Sequence, residues 1–241
     1  MLPILLIPGL NCSARLYAHQ IPLLWRFGPT MVANHTYGDT VETIANQILE
    51  CAPPRFTLIG FSLGGYIAFE ILRQARARVV RLALIDTGAR ADTAQQSARR
   101  LQRIEMAQSG RFSESLDLQF PLVVHPKHQR NEELRDAYRT MAMECGPEAF
   151  VRHLQADIRR PDSRRVFGEI RCPTTIVVGD SDQLTPPALA EEMARGIDNA
   201  QLVVIPEAGH LSPLEQPAHV TQALTDLLQI PVVSEKAKCG R

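Results

Sequence analysis

The sequence predicts an α/β fold: a doubly wound, mostly parallel sheet of about six strands, with helices on both faces and a helical cap insertion. Three observations lead there. Six short apolar runs read as strands, and five of them end in Gly, Pro or Asp, as strands covered on both faces do. Most of them alternate with stretches of helical period, the pattern of a parallel sheet. Between residues 88 and 168 the alternation stops and only helical patterns remain.

The elements follow in order. Leu2 to Ile7 is an apolar run closed by Pro8-Gly9. Asn11 to Trp25 is mixed loop and helix, and Thr30 to Asn34 is a short second strand. Val41, Ile44, Ala45, Ile48 and Leu49 make one apolar stripe of a helix that Asp39 or Thr40 caps and Pro53-Pro54 stops. Phe56 to Ile59 is the third strand, Ser62 to about Arg76 a helix, and Val79 to Ile85 the fourth strand, ending at Asp86. Helical patterns follow at Ala94 to Gln108, Glu132 to Glu144 and Glu148 to Arg159. Then come a strand at Thr174 to Val178, a helix at Pro187 to Ile197 and a last strand at Ala200 to Ile205. Val220, Leu224, Leu227 and Leu228 stripe the final helix. Residues 1–87 and 169–230 thus read as the core, 88–168 as a cap inserted in it, and 231–241 as a polar C-terminal tail.

Composition excludes several classes. The 26 basic and 26 acidic residues cancel, so neither nucleic acid nor an anionic membrane is expected as partner. Cys12, Cys51, Cys145, Cys172 and Cys239 are odd in number and scattered, with no C-x-x-C. That fits a reducing cytoplasm better than a disulfide framework or a zinc site, and no cofactor and no metal is expected. Met1 to Leu10 has no leading basic residue and contains Pro3 and Pro8, so it reads as a strand and not a signal peptide. No apolar run approaches the roughly 20 residues a bilayer requires. The sequence leaves the oligomeric state open.

The chemistry centres on Gly60-Phe61-Ser62-Leu63-Gly64-Gly65, where a strand turns sharply into a helix with Ser62 at the apex. So tight a turn strains the apex residue, and side chains two positions either side would collide, so Gly60 and Gly64 fit there. The helix that starts at Leu63 aims free N–H groups at the same spot. A Gly-rich turn with an ordinary serine is the plainer reading of these six positions alone. A serine hydroxyl is a poor nucleophile unless a base takes its proton and a third group orients the base. Those partners belong past the ends of the last two strands. There stand Gly179-Asp180-Ser181-Asp182-Gln183-Leu184-Thr185-Pro186 and Pro206-Glu207-Ala208-Gly209-His210. The order Ser, Asp, His is the one expected of a nucleophile elbow in such a sheet.

With these three motifs in place, the chain resembles the α/β-hydrolase fold family, of the small capped serine hydrolase or esterase type, from Leu2 to about Leu228. The resemblance implies Ser62 as nucleophile, His210 as base and Asp182 as orienting acid. Asp180 and Asp86 are rivals of Asp182; Asp86 is expected instead in a helix-cap or loop role. The resemblance also implies an oxyanion hole of two backbone N–H groups, from Leu63 and from Leu10 in the loop after the first strand. Many relatives have His-Gly where this chain has Pro8-Gly9, so the loop must be held some other way. Serine at the elbow argues against the dehalogenases and epoxide hydrolases of this fold, which use Asp. Leu10, Phe61, Leu63, Leu184 and Leu211 flank the triad in sequence, with Leu10 and Leu63 expected nearest the substrate. The expected partner is a small-molecule ester with a small to medium acyl group, or a lactone. A specialised hydrolase acting on an enol-lactone, a pimeloyl-type ester or a carbon–carbon bond is the second expectation. A non-catalytic binding protein on the same scaffold is the third.

Overall fold

Apolar runs become strands here because helices cover both faces of what they build. The computed structural model describes residues 1–232. The expected tail at 231–241 lies outside the described residues from 233 onward. The strands are β1 (Ile4–Ile7), β2 (Thr30–Val32), β3 (Phe56–Phe61), β4 (Val79–Ile85), β5 (Thr174–Gly179) and β6 (Ala200–Ile205). They form one sheet in the order β2-β1-β3-β4-β5-β6, with every neighbouring pair parallel. The register pairs Ile7 with Gly60, Phe61 with Ile85, and Gly179 with Ile205, so the carboxyl ends form one rim.

Alternation along the strands divides the core in two. Leu5, Ile7, Leu58, Leu84 and Ile176 pack under α2 (Val41–Cys51), α3 (Leu63–Ala75) and α8 (Pro187–Gly196). Ile4, Leu6, Ile59, Phe61 and Ile85 face the other way, toward α10 (Pro217–Gln229) and the short α1 (Ile21–Leu24). Of the two expected caps for α2, Thr40 fills the place: its hydroxyl accepts from Thr43 N at 3.1 Å. One more short helix, α9 (Ser212–Glu215), precedes α10.

Four helices fill the span between β4 and β5: α4 (Ala94–Gln108), α5 (Phe112–Val123), α6 (Glu132–Cys145) and α7 (Pro147–Arg159). Thr93 and Gln96 close a capping box on α4, and Asn131 caps α6. The periodic pattern does not single out α5, which carries Pro121 in its last turn.

Chain order reverses between β1 and β3, since β1 connects outward to β2 and β3 onward to β4. A crevice opens at the carboxyl ends at such a reversal, and ligands bind there in open α/β sheets. The loops that leave β1 and β3 carry Leu10 and Ser62.

Candidate active site

Ser62 sits at φ 52° and ψ −116°, a conformation that L-residues avoid. Two close approaches of backbone hold it there. A Cβ on Gly60 would lie 2.4 Å from Gly64 O, and one on Gly64 would lie 2.1 Å from Ile7 O. Thr87 Oγ1 donates to Ser62 O at 2.8 Å, and Ser62 N donates to Ile85 O at 2.9 Å. The elbow is thus fastened to β1 on one side and to the end of β4 on the other.

The three side chains expected together are brought together. His210 Nε2 is 2.9 Å from Ser62 Oγ, and His210 Nδ1 is 2.8 Å from Asp182 Oδ2. Asp182 is fully satisfied: Oδ1 accepts from Leu184 N and Thr185 N, and Oδ2 accepts from Thr185 Oγ1 at 2.7 Å. A carboxylate with those partners keeps its charge toward Nδ1, which puts the imidazole proton on Nδ1 and leaves Nε2 to accept from the serine. Burial pulls the His210 pKa down, but the charge and hydrogen bond of Asp182 outweigh it, with Asp86 and Glu215 adding, and the net shift is upward. Burial raises Asp182, yet His210 and the Thr185 hydrogen bonds hold it below the usual carboxylate range.

The rival acids do other work. Asp180 is exposed and accepts from Ser181 Oγ and Glu207 N. Asp86 caps no helix. It is buried at the end of β4, where Ser212 Oγ and Gly179 N donate to it. Burial first, and the charge of Asp182 second, push its pKa well up.

Leu10 stands in the wall of the same cavity as Ser62 and His210. Among the described residues neither the Leu10 nor the Leu63 N–H has an acceptor in the protein. The loop that carries Leu10 is held in spite of Pro8. Tyr17 Oη donates to Ile7 O, and Cys12 N and His35 Nε2 donate to Gly9 O, each at 3.0 Å. His35 is backed in turn by α7: His153 Nε2 donates to His35 O at 2.9 Å, and the rings stack with centroids 4.5 Å apart. Both acceptors are carbonyls, so both rings carry the proton on Nε2.

The cavity over Ser62 holds about 340 Å³, within the range of small-molecule sites. Leu10, Phe61, Leu184 and Leu211 line it as expected, but Leu63 does not. The Leu63 side chain is fully buried in the core under α2 and α3, because the first residue of α3 turns its side chain away from the rim. The far wall comes from α4, α5, α6 and α7. Glu215 ties that wall to the histidine loop by accepting from Gly209 N, His125 N and His128 Nδ1. Glu215 and Ser212 stand inside the His210 motif, so sequence pointed at their positions but not their tasks. His35, His153 and Glu215 show that tethers far apart in sequence carry no local signal.

Among the described residues there is no cluster of three or more His, Cys, Asp or Glu able to hold a metal, and no helix long and apolar enough to cross a membrane.

Comparison with known proteins agrees with this architecture. A family model described as the alpha/beta hydrolase family matches residues 4–223. The chain is 25% identical over 217 residues to a pimeloyl-[acyl-carrier protein] methyl ester esterase of Nitrosomonas europaea, covering 86% of this chain and 83% of that one. It is 30% identical to a thermophilic esterase from Thermogutta terrifontis, solved with malate bound, at a TM-score of 0.84, covering 95% of this chain and 89% of that one. An enol-lactonase from Burkholderia xenovorans LB400 superposes with a TM-score of 0.80 at 21% identity, over 94% of this chain and 90% of that one.

Proposed function

The chain belongs to the alpha/beta hydrolase family, and from that premise we propose that it is a serine hydrolase of carboxylic esters, acting through an acyl-enzyme on Ser62. The observation that carries the reading is the hydrogen-bonded line Asp182, His210, Ser62, at 2.8 and 2.9 Å, opening on the cavity.

In this reading Ser62 Oγ attacks the ester carbonyl while His210 Nε2 takes its proton. The tetrahedral oxyanion is received by the Leu10 and Leu63 N–H groups, which have no other acceptor among the described residues. Asp182 holds the imidazole in its tautomer and offsets the positive charge that forms on it. His210 then gives its proton to the leaving alcohol. Water, deprotonated by the same nitrogen, attacks the acyl-enzyme and frees the acid. Residues 88–168 act as a cap that walls the acyl site, and the core is 1–87 with 169–230. The substrate is a small-molecule ester of small or medium acyl length, or a lactone. The names of the esterase and enol-lactonase neighbours support ester or lactone hydrolysis, and the size of the cavity supports a small or medium acyl group.

The test is hydrolysis of p-nitrophenyl acetate and butyrate by the wild type and by Ser62→Ala. A loss of several orders of magnitude is expected, since the triad acts as a unit. Equal rates in the two proteins would refute the mechanism.

A further inference from the structure

The cavity wall carries a charge that the protein does not balance. Five arginines face it from the cap side: Arg90, Arg99, Arg100, Arg103 and Arg160. Three carboxylates answer them. Glu192 pairs with Arg90, Asp92 with Arg100 and Arg160, and Asp157 with Arg100. Among the described residues no carboxylate is within ion-pair distance of Arg99 or Arg103.

Arg103 is the one that matters. Its Nε donates to Ser115 Oγ at 3.3 Å, and its guanidinium lies 5.0 Å from the centroid of the Phe150 ring. Those contacts fix where the head group sits. Its Nη2 is buried and has no hydrogen-bond partner. A guanidinium cannot shed its proton to escape burial, so an unmatched one is costly. The contrast with Arg100, one turn away on α4, is direct. Burial works against the charge on Arg100, but Asp157 and Asp92 outweigh it and hold its pKa up. Burial wins at Arg103, whose pKa is drawn down. Helix α4 therefore presents to the cavity one arginine with its counterions and two without, Arg103 being the one with a buried, unpartnered nitrogen, in a pocket whose floor is the apolar rim around Ser62.

We infer that the substrate of this site carries a carboxylate away from the bond that is cut, and that the Arg103 guanidinium receives it, with Arg99 adding positive charge at the same wall. The inference rests on the serine-hydrolase reading and narrows it: the anion, absent among the described residues, arrives with the substrate. A planar two-pronged donor suits a carboxylate better than any uncharged group. Bound there, the far end of the substrate fixes where its ester carbonyl stands over Ser62.

The experiment compares matched ester pairs by kcat/KM in a pH-stat. Monomethyl adipate against methyl hexanoate puts the charge on the acyl side; the butyrate ester of glycolic acid against ethyl butyrate puts it on the alcohol side. In the wild type the charged member of at least one pair is expected to lead by about tenfold or more. Arg103→Met should cut that ratio by roughly 10- to 100-fold, the value of a hydrogen-bonded charge, and Arg103→Lys should keep part of it. Neutral members equal or better in both pairs, or a ratio unmoved by Arg103→Met, would overturn the inference. Calorimetric titration with adipate and with uncharged adipamide needs no turnover and no variant. Adipate alone is expected to bind the wild type, and equal behaviour of the two would also overturn it. If no ester is cut and Ser62 ignores a fluorophosphonate probe while adipate still binds, the hydrolase reading fails and the anion site stands.

Discussion

Replacing Glu215 by alanine should cost stability out of proportion to one side chain. Its carboxylate is wholly buried and accepts three hydrogen bonds, from His125 N at 2.7 Å, His128 Nδ1 at 2.8 Å and Gly209 N at 2.9 Å. Without it the buried Gly209 N and the half-buried His125 N are left with no acceptor, and an orphaned group costs on the order of 1–3 kcal/mol, the half-buried one toward the lower end. The sum, roughly 2–6 kcal/mol, is a large part of the 5–15 kcal/mol that typically holds a domain folded. For a chain of this length that corresponds to a fall in Tm of at least about 4 °C, readable by circular dichroism. Glu215→Gln should lose less, because its amide oxygen keeps one or two of the three donors satisfied, depending on which carboxylate oxygen it replaces. Gly209 precedes His210, so kcat on a simple ester should fall in both variants before KM moves. A Tm for Glu215→Ala within about 1 °C of wild type would refute the claim that this carboxylate ties the histidine loop to the cap.

The pH profile and the orienting acid can be tested together. His210 must be neutral to accept from Ser62, and its pKa is held above the ordinary 6.5, so kcat/KM should rise with pH through a midpoint above 6.5. A midpoint at or below 6.5 would contradict the influence assigned to Asp182. Asp182→Asn removes the charge that raises His210, so the midpoint should move down while the rate falls by roughly four orders of magnitude. A rate within tenfold of wild type would show that another group orients His210.

The sheet was legible because strand signals are local: short apolar runs, five of the six closed by Gly, Pro or Asp, mark all six strands within one or two residues. Ser62, Asp182 and His210 were legible for the same reason, since each sits just past a strand whose position was already fixed. Leu63 shows the limit. Its backbone stands where expected, but the direction of its side chain depends on how α3 leaves the elbow, which spacing does not encode. Helix α5 was not singled out by its period, and it carries Pro121 in its last turn, a residue whose usual effect is to end a helix. The excess charge at Arg103 was out of reach in principle. A count of arginines in the cap is visible in sequence, but which of them lack a counterion is decided by Asp92, Asp157 and Glu192 after folding.

The stacked pair His35 and His153 has a consequence for acid. Burial lowers His35 to about 3, with the neighbouring His153 adding, and burial lowers His153 to about 4, with Arg152 adding. Unfolded histidines titrate near 6.5. Above that pH neither state holds the extra proton and the pair is silent. As pH falls below 6.5 the unfolded chain takes up protons that the folded one refuses until about 4 and then 3. Stability drains across that window by up to about 1.4 kcal/mol per pH unit for each ring. A urea-unfolding series from pH 7 to 4.5 that stayed flat would remove this account. These two rings stand between α7 and Gly9 O, so the joint that acid loosens here is the one behind the Leu10 N–H. The protein thus carries a proton fuse wired to the loop that sets Leu10 in the wall of the cavity over Ser62.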